Sequence, residues 1–307
     1  MYLSFVTGNI LQKITEDNYN VIYYPQNNII DHCISAIDKH KYYIFGSNNI
    51  HYELDNMIDL PNHHLSLYNY NLCITNRLLN YTTNPTIKQF HLNTIILTHS
   101  HKPQNVKKED LVLMSQRLKK ETKIFFSESA KNSWRLDNSI VLKYGVPRAF
   151  QYVNSTTKRK DVLILNCDNS PYAQQIQAAL IEKNYSCDIM SSFRIPIEVI
   201  NSTMNNYKVC VDLAEHNVLN LLCGIASGCA GISIKSPITS EEYLNINGLT
   251  FINNIEEIFP ALAQILDIND EERKNNSEAI LNQFDLNNFS TIMSNIIQKA
   301  NREAFTL

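Results

Sequence analysis

Cys210-Val-Asp-Leu-Ala-Glu-His-Asn-Val-Leu-Asn-Leu-Leu-Cys-Gly-Ile-Ala-Ser-Gly-Cys-Ala-Gly-Ile232 is the stretch from which the fold can be read. Residues 208–213 form an apolar run that predicts a buried strand. A short link, Ala214 to Asn217, leads into a helix over 218–227. That helix carries small residues at Gly224, Ala226, Ser227 and Gly228. A glycine in this place can take the left-handed backbone that stops a helix. A second apolar strand over 230–234 follows at once. Buried strand, helix, buried strand with short links is a parallel α/β unit. The helix start aims unpaired N–H groups and the positive end of its dipole beyond the strand, which suits a phosphate. Asn217 is placed to cap the helix. Glu215 falls at the carboxyl edge of the sheet, where α/β ligands bind, and can accept hydrogen bonds from sugar-type hydroxyls. The plainer alternative makes Asn217 an ordinary cap, Glu215 a dipole partner and the small residues packing contacts.

The same alternation extends in both directions. Downstream of residue 160, strands are expected at 162–166, 187–190, 208–213, 230–234 and 249–252. Helices are expected at 172–183, 196–204, 218–227 and 255–266, and two more close the chain at 271–284 and 289–305. Upstream, strands are expected at 2–6, 21–24, 42–45, 72–75, 94–98, 123–126 and 140–142. Helical spacing occupies 29–39, 107–120 and 127–135, with Ser127 able to cap the last of these. Pro85, Pro103 and Pro147 fall between elements, as breakers should. The pattern lapses in the polar run Asn154-Ser-Thr-Thr-Lys-Arg-Lys-Asp161. The expected organisation is α/β, with two Rossmann-like doubly wound domains facing across a cleft. The first covers 1–153 and the second 161–285. A closing helical segment, 286–307, is expected to pack back on the first domain.

Composition is consistent with this. The chain has 307 residues, 44% of them apolar and 19% charged, with a net charge of −3. That supports two cores of ordinary size, excludes a disordered chain and advertises neither nucleic acid nor a membrane surface. Basic clusters at 107–108, 119–120 and 158–160 read as solvated faces or linker. Seven cysteines are scattered through apolar runs with no C-x-x-C pair, which suggests free core thiols in a reducing compartment. The first residues lack a basic lead and a long apolar run, and no run approaches a membrane span. The expectation is a cytoplasmic protein. Abundant asparagine beside few glycines (seven) points to AT-rich coding and hence to a microbe or virus.

Histidines add a second candidate. His99 and His101 follow the strand at 94–98 in Thr-His-Ser-His-Lys-Pro. A histidine at the carboxyl end of a strand can face a cleft, hydrogen-bond a sugar or move a proton. H-x-H also occurs in metal sites, but spacing places no third ligand. Loop histidines without a role are the other reading, and His63-His64 is read that way. Gly8 in Thr7-Gly8-Asn9 follows the first expected strand and can let a ligand approach closely. Nothing reads as G-x-G-x-x-G, G-x-S-x-G or a P-loop.

The stretch at 210–232 resembles the donor-binding signature of GT-B glycosyltransferases of the retaining, GT4-like type. In that signature a Glu precedes a helix, and a second Glu precedes Ala-Met-Ala-x-Gly. Glu215 matches the first Glu, and Ile225-Ala-Ser-Gly228 matches Met-Ala-x-Gly. Val218 stands where the family has glycine. Cys223 stands where the second Glu, which grips the donor's ribose, belongs. Weaker resemblances run in order from about residue 94 to 285. They take in 123–134, 140–147 and 161–166, with the loop Cys167-Asp-Asn-Ser-Pro171 replacing a Gly-rich one.

The resemblance implies transfer of a sugar, of the hexosyl kind, from a nucleotide-activated donor, UDP- or GDP-linked. No cofactor is implied, and the diphosphate leaving group is held at the helix start. His99 and Glu215 become the catalytic candidates. Asn169, Ser170, Arg194, His216, Asn217 and Val218 become the nucleotide contacts. The family's basic pair at the diphosphate is offered only by Arg194 and the linker cluster at 158–160. The Asp-x-Asp motif of the other glycosyltransferase architecture is absent, so metal independence is expected. The acceptor side is expected near Thr7-Gly8-Asn9, and the acceptor class stays open among glycan, lipid, protein and modified bases of viral or phage DNA. A non-catalytic binding or scaffold protein on the same fold is the alternative, favoured by Cys223.

Overall fold

The computed structural model describes residues 19–24, 28–37, 39–44, 56–59, 72–76, 93–99, 101–103, 106–154, 158–165, 172–191, 195–212, 218–235 and 241–303. Within them the strands form two wholly parallel sheets. The first contains β1 (Asn20–Tyr23), β2 (Lys41–Ile44), β3 (Met57–Asp59), β4 (Leu72–Asn76), β5 (Asn93–Thr98), β6 (Thr122–Phe125) and β7 (Ser139–Val141). Their order is β3-β2-β1-β4-β5-β6-β7. The second contains β8 (Lys160–Leu165), β9 (Cys187–Met190), β10 (Tyr207–Asp212), β11 (Ala230–Ile234) and β12 (Leu249–Ile252), ordered β12-β11-β10-β8-β9. Each order reverses once, between β1 and β4 and between β8 and β10. In a doubly wound sheet that reversal opens a crevice at the carboxyl ends of the two flanking strands.

The central strands are apolar on both faces and need cover on both, as parallel strands do. Val162, Leu163, Ile164 and Leu165 of β8 are all buried, and Val209 sits between Val162 and Ala230 in register. Cover comes from α1 (Asn28–Ser35), α2 (Lys108–Arg117), α3 (Glu128–Trp134), α4 (Tyr172–Glu182), α5 (Ile197–Asn205), α6 (Leu219–Ala226), α7 (Ile258–Ile265) and α8 (Asp270–Gln283). A last helix, α9 (Leu286–Glu303), packs against α1, β4 and β5. Its Phe289 lies so close to Gly145 that a Cβ there would sit 2.9 Å away. One apolar core joins Tyr144, Val146 and Phe150 of the crossing segment to Leu221, Phe284 and Phe289.

Several local signals act as their chemistry dictates. Ser127 Oγ accepts a hydrogen bond from the Ala130 N–H at 3.1 Å and caps α3. Gly228 has φ 88° and ends α6. Gly228 N–H bonds the Ile225 carbonyl and Cys229 N–H the Gly224 carbonyl, both at 2.9 Å, which is the Schellman pattern. Lys123 is buried in β6, yet its ammonium donates to the Leu118 carbonyl at 2.7 Å, at the carboxyl end of α2. A cation is favoured there by the helix dipole. Burial lowers the Lys123 pKa, and nearby Glu121 and Asp137 oppose that shift.

Among the readings of the chain that change are the following three. The strand β3 is absent from the sequence expectation, because three residues at a sheet edge carry no periodicity. The helix expected over 29–39 stops at Ser35, although Ile37 is still buried. The helix expected from 255 opens as a 3-10 turn, Ile255–Glu257, capped by the Asn254 side chain, and becomes α-helical at Ile258. The strand expected at 2–6, Gly8 and His63-His64 lie outside the described residues.

Candidate functional site

The crevice of the second sheet lies beyond β8 and β10. The connections leaving those strands run through 166–171 and 213–217. They contain Asn169, Ser170, Glu215, His216 and Asn217, all outside the described residues, as is Arg194. What the structure does describe is the frame around them. Asp212 ends β10 with its side chain buried, and Asn220 in the first turn of α6 donates to its Oδ2 at 3.3 Å. That bond ties the strand end to the helix start and holds α6 behind the crevice. Val218 occupies the cap position, half-buried, with helical φ and no side-chain cap bond. Asn217, expected to cap the helix, lies outside the described residues.

Helix α6 has all eight of its residues buried, because it is covered by the sheet on one side and α8 on the other. Gly224 allows the close approach: a Cβ there would meet Cys210 Sγ at 3.1 Å. Cys223 is fully buried, its thiol pushed up by burial and by neighbouring Cys33 of α1. Position 223 thus faces the core.

His99 is described and half-buried, one residue past β5. Its ring stacks on Phe126, centroids 4.3 Å apart and planes 7° apart. Phe126 stacks in turn on Tyr144, at 4.6 Å and 2°. His99 Nδ1 lies 3.3 Å from Tyr144 Oη. Phe126 and Tyr144 follow β6 and β7, so three successive connections at the carboxyl edge supply one aromatic platform. The platform fixes the plane of the imidazole, and the contact at Nδ1 fixes which nitrogen points elsewhere. Burial raises the Tyr144 phenol far above its ordinary range, so it stays neutral and can donate.

The second domain reaches this platform through Tyr243. Its phenol donates to the Phe126 carbonyl at 2.7 Å, and its ring lies 6.5 Å from Tyr144 and 6.2 Å from Phe284. Beside it, Glu242 keeps one carboxylate oxygen, Oε1, buried and without a hydrogen-bond partner among the described residues. Sequence reasoning missed both, since Glu241-Glu242-Tyr243 carries no periodicity and follows no motif. It also missed Asp31, fully buried in the first turn of α1 and hydrogen-bonded by the Tyr23 phenol at the crevice side of β1. Tyr243→Phe should cost about 1–2 kcal/mol, the loss of one buried hydrogen bond with its carbonyl left unsatisfied. Urea unfolding checks this, and an unchanged midpoint would show the bond to be dispensable.

The linker cations are elsewhere. Arg159 donates to the Val153 carbonyl at 3.1 Å and towards the Gly228 carbonyl at 3.4 Å, and Lys160 pairs with Asp188 at 2.6 Å. All of these lie at the amino edge of the second sheet, so Lys158, Arg159 and Lys160 cannot serve a diphosphate at its carboxyl edge. Among the described residues no cluster of His, Cys, Asp and Glu is placed to hold a metal, and no helix is long and apolar enough to cross a membrane.

No protein-family model matches the chain, and no curated protein matches it in sequence. Solved structures do match in shape. A glycosyltransferase from Rickettsia africae is 14% identical with a TM-score of 0.64, covering 92% of this chain and 98% of its own. Sucrose-phosphate synthase from Thermosynechococcus elongatus is 12% identical with a TM-score of 0.63, covering 92% and 98%. HepE from Anabaena, in complex with UDP-glucose, is 11% identical with a TM-score of 0.68, covering 92% and 100%. At these identities the likeness is one of fold. The chain has the GT-B arrangement, two Rossmann-like domains facing across a cleft.

Proposed function

We propose that the chain is a glycosyltransferase that moves a hexosyl group from a UDP- or GDP-linked donor to an acceptor, without a metal. The observation that carries this reading is the GT-B likeness over nearly the whole chain, one such neighbour being held with UDP-glucose. The crevice beyond β8 and β10 and the start of α6 support it. Catalysis then rests on the departing diphosphate. N–H groups at the start of α6, Val218 included, stabilise its growing charge, as a fixed dipole does without reorganising. Asn169, Ser170, His216, Asn217 and Arg194 complete the nucleotide's contacts. Glu215 accepts hydrogen bonds from the sugar hydroxyls. His99, held flat on Phe126 and Tyr144, faces the sugar or the acceptor. The first domain takes the acceptor, and glycan, lipid, protein and modified DNA bases all fit that role.

A panel of UDP- and GDP-sugars tests the proposal by thermal shift and by release of nucleoside diphosphate, with and without EDTA. A donor at one hundred times its Kd stabilises the native state by about 2.7 kcal/mol. A shift with one donor, and diphosphate release that survives EDTA, is the expected result. Absence of any shift overturns the proposal. A shift without turnover favours a second reading, a non-catalytic binding protein on the same fold, for which the buried Cys223 is the supporting observation. Release abolished by EDTA and restored by a divalent ion removes the metal-independent part.

A further inference from the structure

A second polar hollow lies at the opposite end of α6 from the proposed donor crevice. It has a volume of about 450 Å³ and is formed where residues 158–159 enter β8, where β10 begins and where the chain turns from α7 into α8. Four basic side chains line it: Lys158, Arg159, Lys208 and Arg273. Lys208 is neutralised by Asp161 at 3.0 Å. The two arginines are not neutralised in this way. Arg273 Nη1 donates to the Gly228 carbonyl at 2.9 Å and Arg159 Nη1 reaches the same oxygen at 3.4 Å. Two guanidinium groups thus converge on one neutral acceptor. Among the described residues neither lies within 4.0 Å of a carboxylate oxygen.

Like charges brought together repel one another, and an anion between them relieves that cost. Burial lowers the Arg273 pKa and the charge of Arg159 adds to that, while Cys229, Asp270 and Tyr152 oppose it. Arg159 is half-buried and lies over the Tyr152 ring, 4.9 Å from its centroid, which holds its planar fork at the rim of the hollow. Lys158 is exposed beside it. The remaining charges of the lining are Asp267 and Asp270, both exposed, and Asp270 interacts with Arg273 and with the Tyr152 phenol. Carboxylates there repel a bare anion but accept hydrogen bonds from hydroxyl groups. A lining that offers both cations and carboxylate acceptors fits a ligand with an anionic end and a hydroxylated end.

We propose that this hollow binds a small phosphate ester that carries hydroxyl groups, with its phosphate at Arg159 and Lys158 and its hydroxyls at Asp267 and Asp270. The planar fork of Arg159 matches phosphate oxygens two at a time, and Lys158 adds a mobile point charge. Arg273 supplies field from below but stays engaged with backbone carbonyls. The site is separated from the start of α6 by the length of that helix, about 12 Å for eight residues. It stands independently of the reaction proposed above.

Calorimetry on the full chain at low ionic strength tests the site with two probes, inorganic phosphate and ribose 5-phosphate. Saturable binding of both is expected, with the ester tighter. Arg159→Gln should weaken both by about 10-fold, the value of one charge-assisted hydrogen bond. Lys158→Gln is exposed, leaves the fold intact and should weaken both by a smaller factor. Asp267→Asn should weaken the ester relative to inorganic phosphate. No saturable binding to the native chain, or unchanged binding in both the Arg159 and Lys158 variants, overturns the site. Equal affinity for the two probes overturns the assignment of a hydroxylated ester.

Discussion

Replacing Arg273 by methionine should destabilise the protein by about 3 kcal/mol or more, the largest single effect expected in the second domain. Arg273 is only 4% exposed. Its Nε donates to the Ile268 carbonyl at 3.0 Å, its Nη1 to the Lys208 carbonyl at 2.7 Å and the Gly228 carbonyl at 2.9 Å. A longer contact, 3.4 Å, runs from Nη2 to the Leu266 carbonyl. The side chain of α8 therefore pins three separate pieces of backbone: the turn into its own helix, the start of β10 and the end of α6. Methionine has a similar length and fills the space, so the cavity cost is small. What remains are carbonyls at a partly buried edge with no donor. Each hydrogen bond to a charged group contributes about 1.5–3 kcal/mol, offset by the cost of burying the guanidinium. Urea unfolding measures the difference, and an equal midpoint for variant and native chains would show that water replaces the arginine without loss. Arg273→Lys should recover only part of the stability, because an ammonium cannot span the same acceptors.

Gly228→Ala should cost about 2–3 kcal/mol, combining a left-handed backbone with a collision. The backbone there has φ 88°, which L side chains rarely adopt. The added methyl group would be driven into the ring of Tyr152, which also lies beneath Arg159. The two costs can be separated. In a Tyr152→Ala background the collision disappears and only the backbone cost, about 1–2 kcal/mol, should remain. Additive effects of the two substitutions would refute the collision. This glycine sits where the end of α6, the crossing segment and α8 meet, so its substitution should also loosen the hold of Arg273 on the Gly228 carbonyl.

The same position shows how far the chain can be read unaided. Gly228 follows a run of small and apolar residues and precedes an apolar strand, and a helix stop is the only backbone that serves both neighbours. β9, β11 and β12 have the expected bounds, and the other described strands are shifted by at most two residues. Near-continuous apolar runs of four to six residues bounded by polar links leave little freedom. The parallel pairing follows as well, because strands apolar on both faces must be covered on both. By contrast, β3 is too short to announce itself, and its place in the first sheet depends on pairing with β2.

The candidate site divides along the same line. Sequence determined the type of fold, the helix that faces the crevice and the presence of His99 at the end of a strand, because these depend on local periodicity and on chain order. Tertiary structure alone decided what surrounds them. The imidazole of His99 lies flat because Phe126 and Tyr144 arrive from two later connections, and no spacing in the chain encodes that stack. Tyr243 meets Phe126 across 117 residues of chain. Arg159 and Lys160, which read as candidates for a diphosphate, turn to the opposite edge of the sheet, because a parallel strand puts its first residues as far as possible from its last. Cys223, where a carboxylate was the expectation, is turned into the core by the pitch of a helix buried on every side. The Val211-to-Ile232 stretch thus specifies a strand, a helix and its stop by local pattern, while the direction each side chain faces is set by the packing of α6 between the sheet and α8.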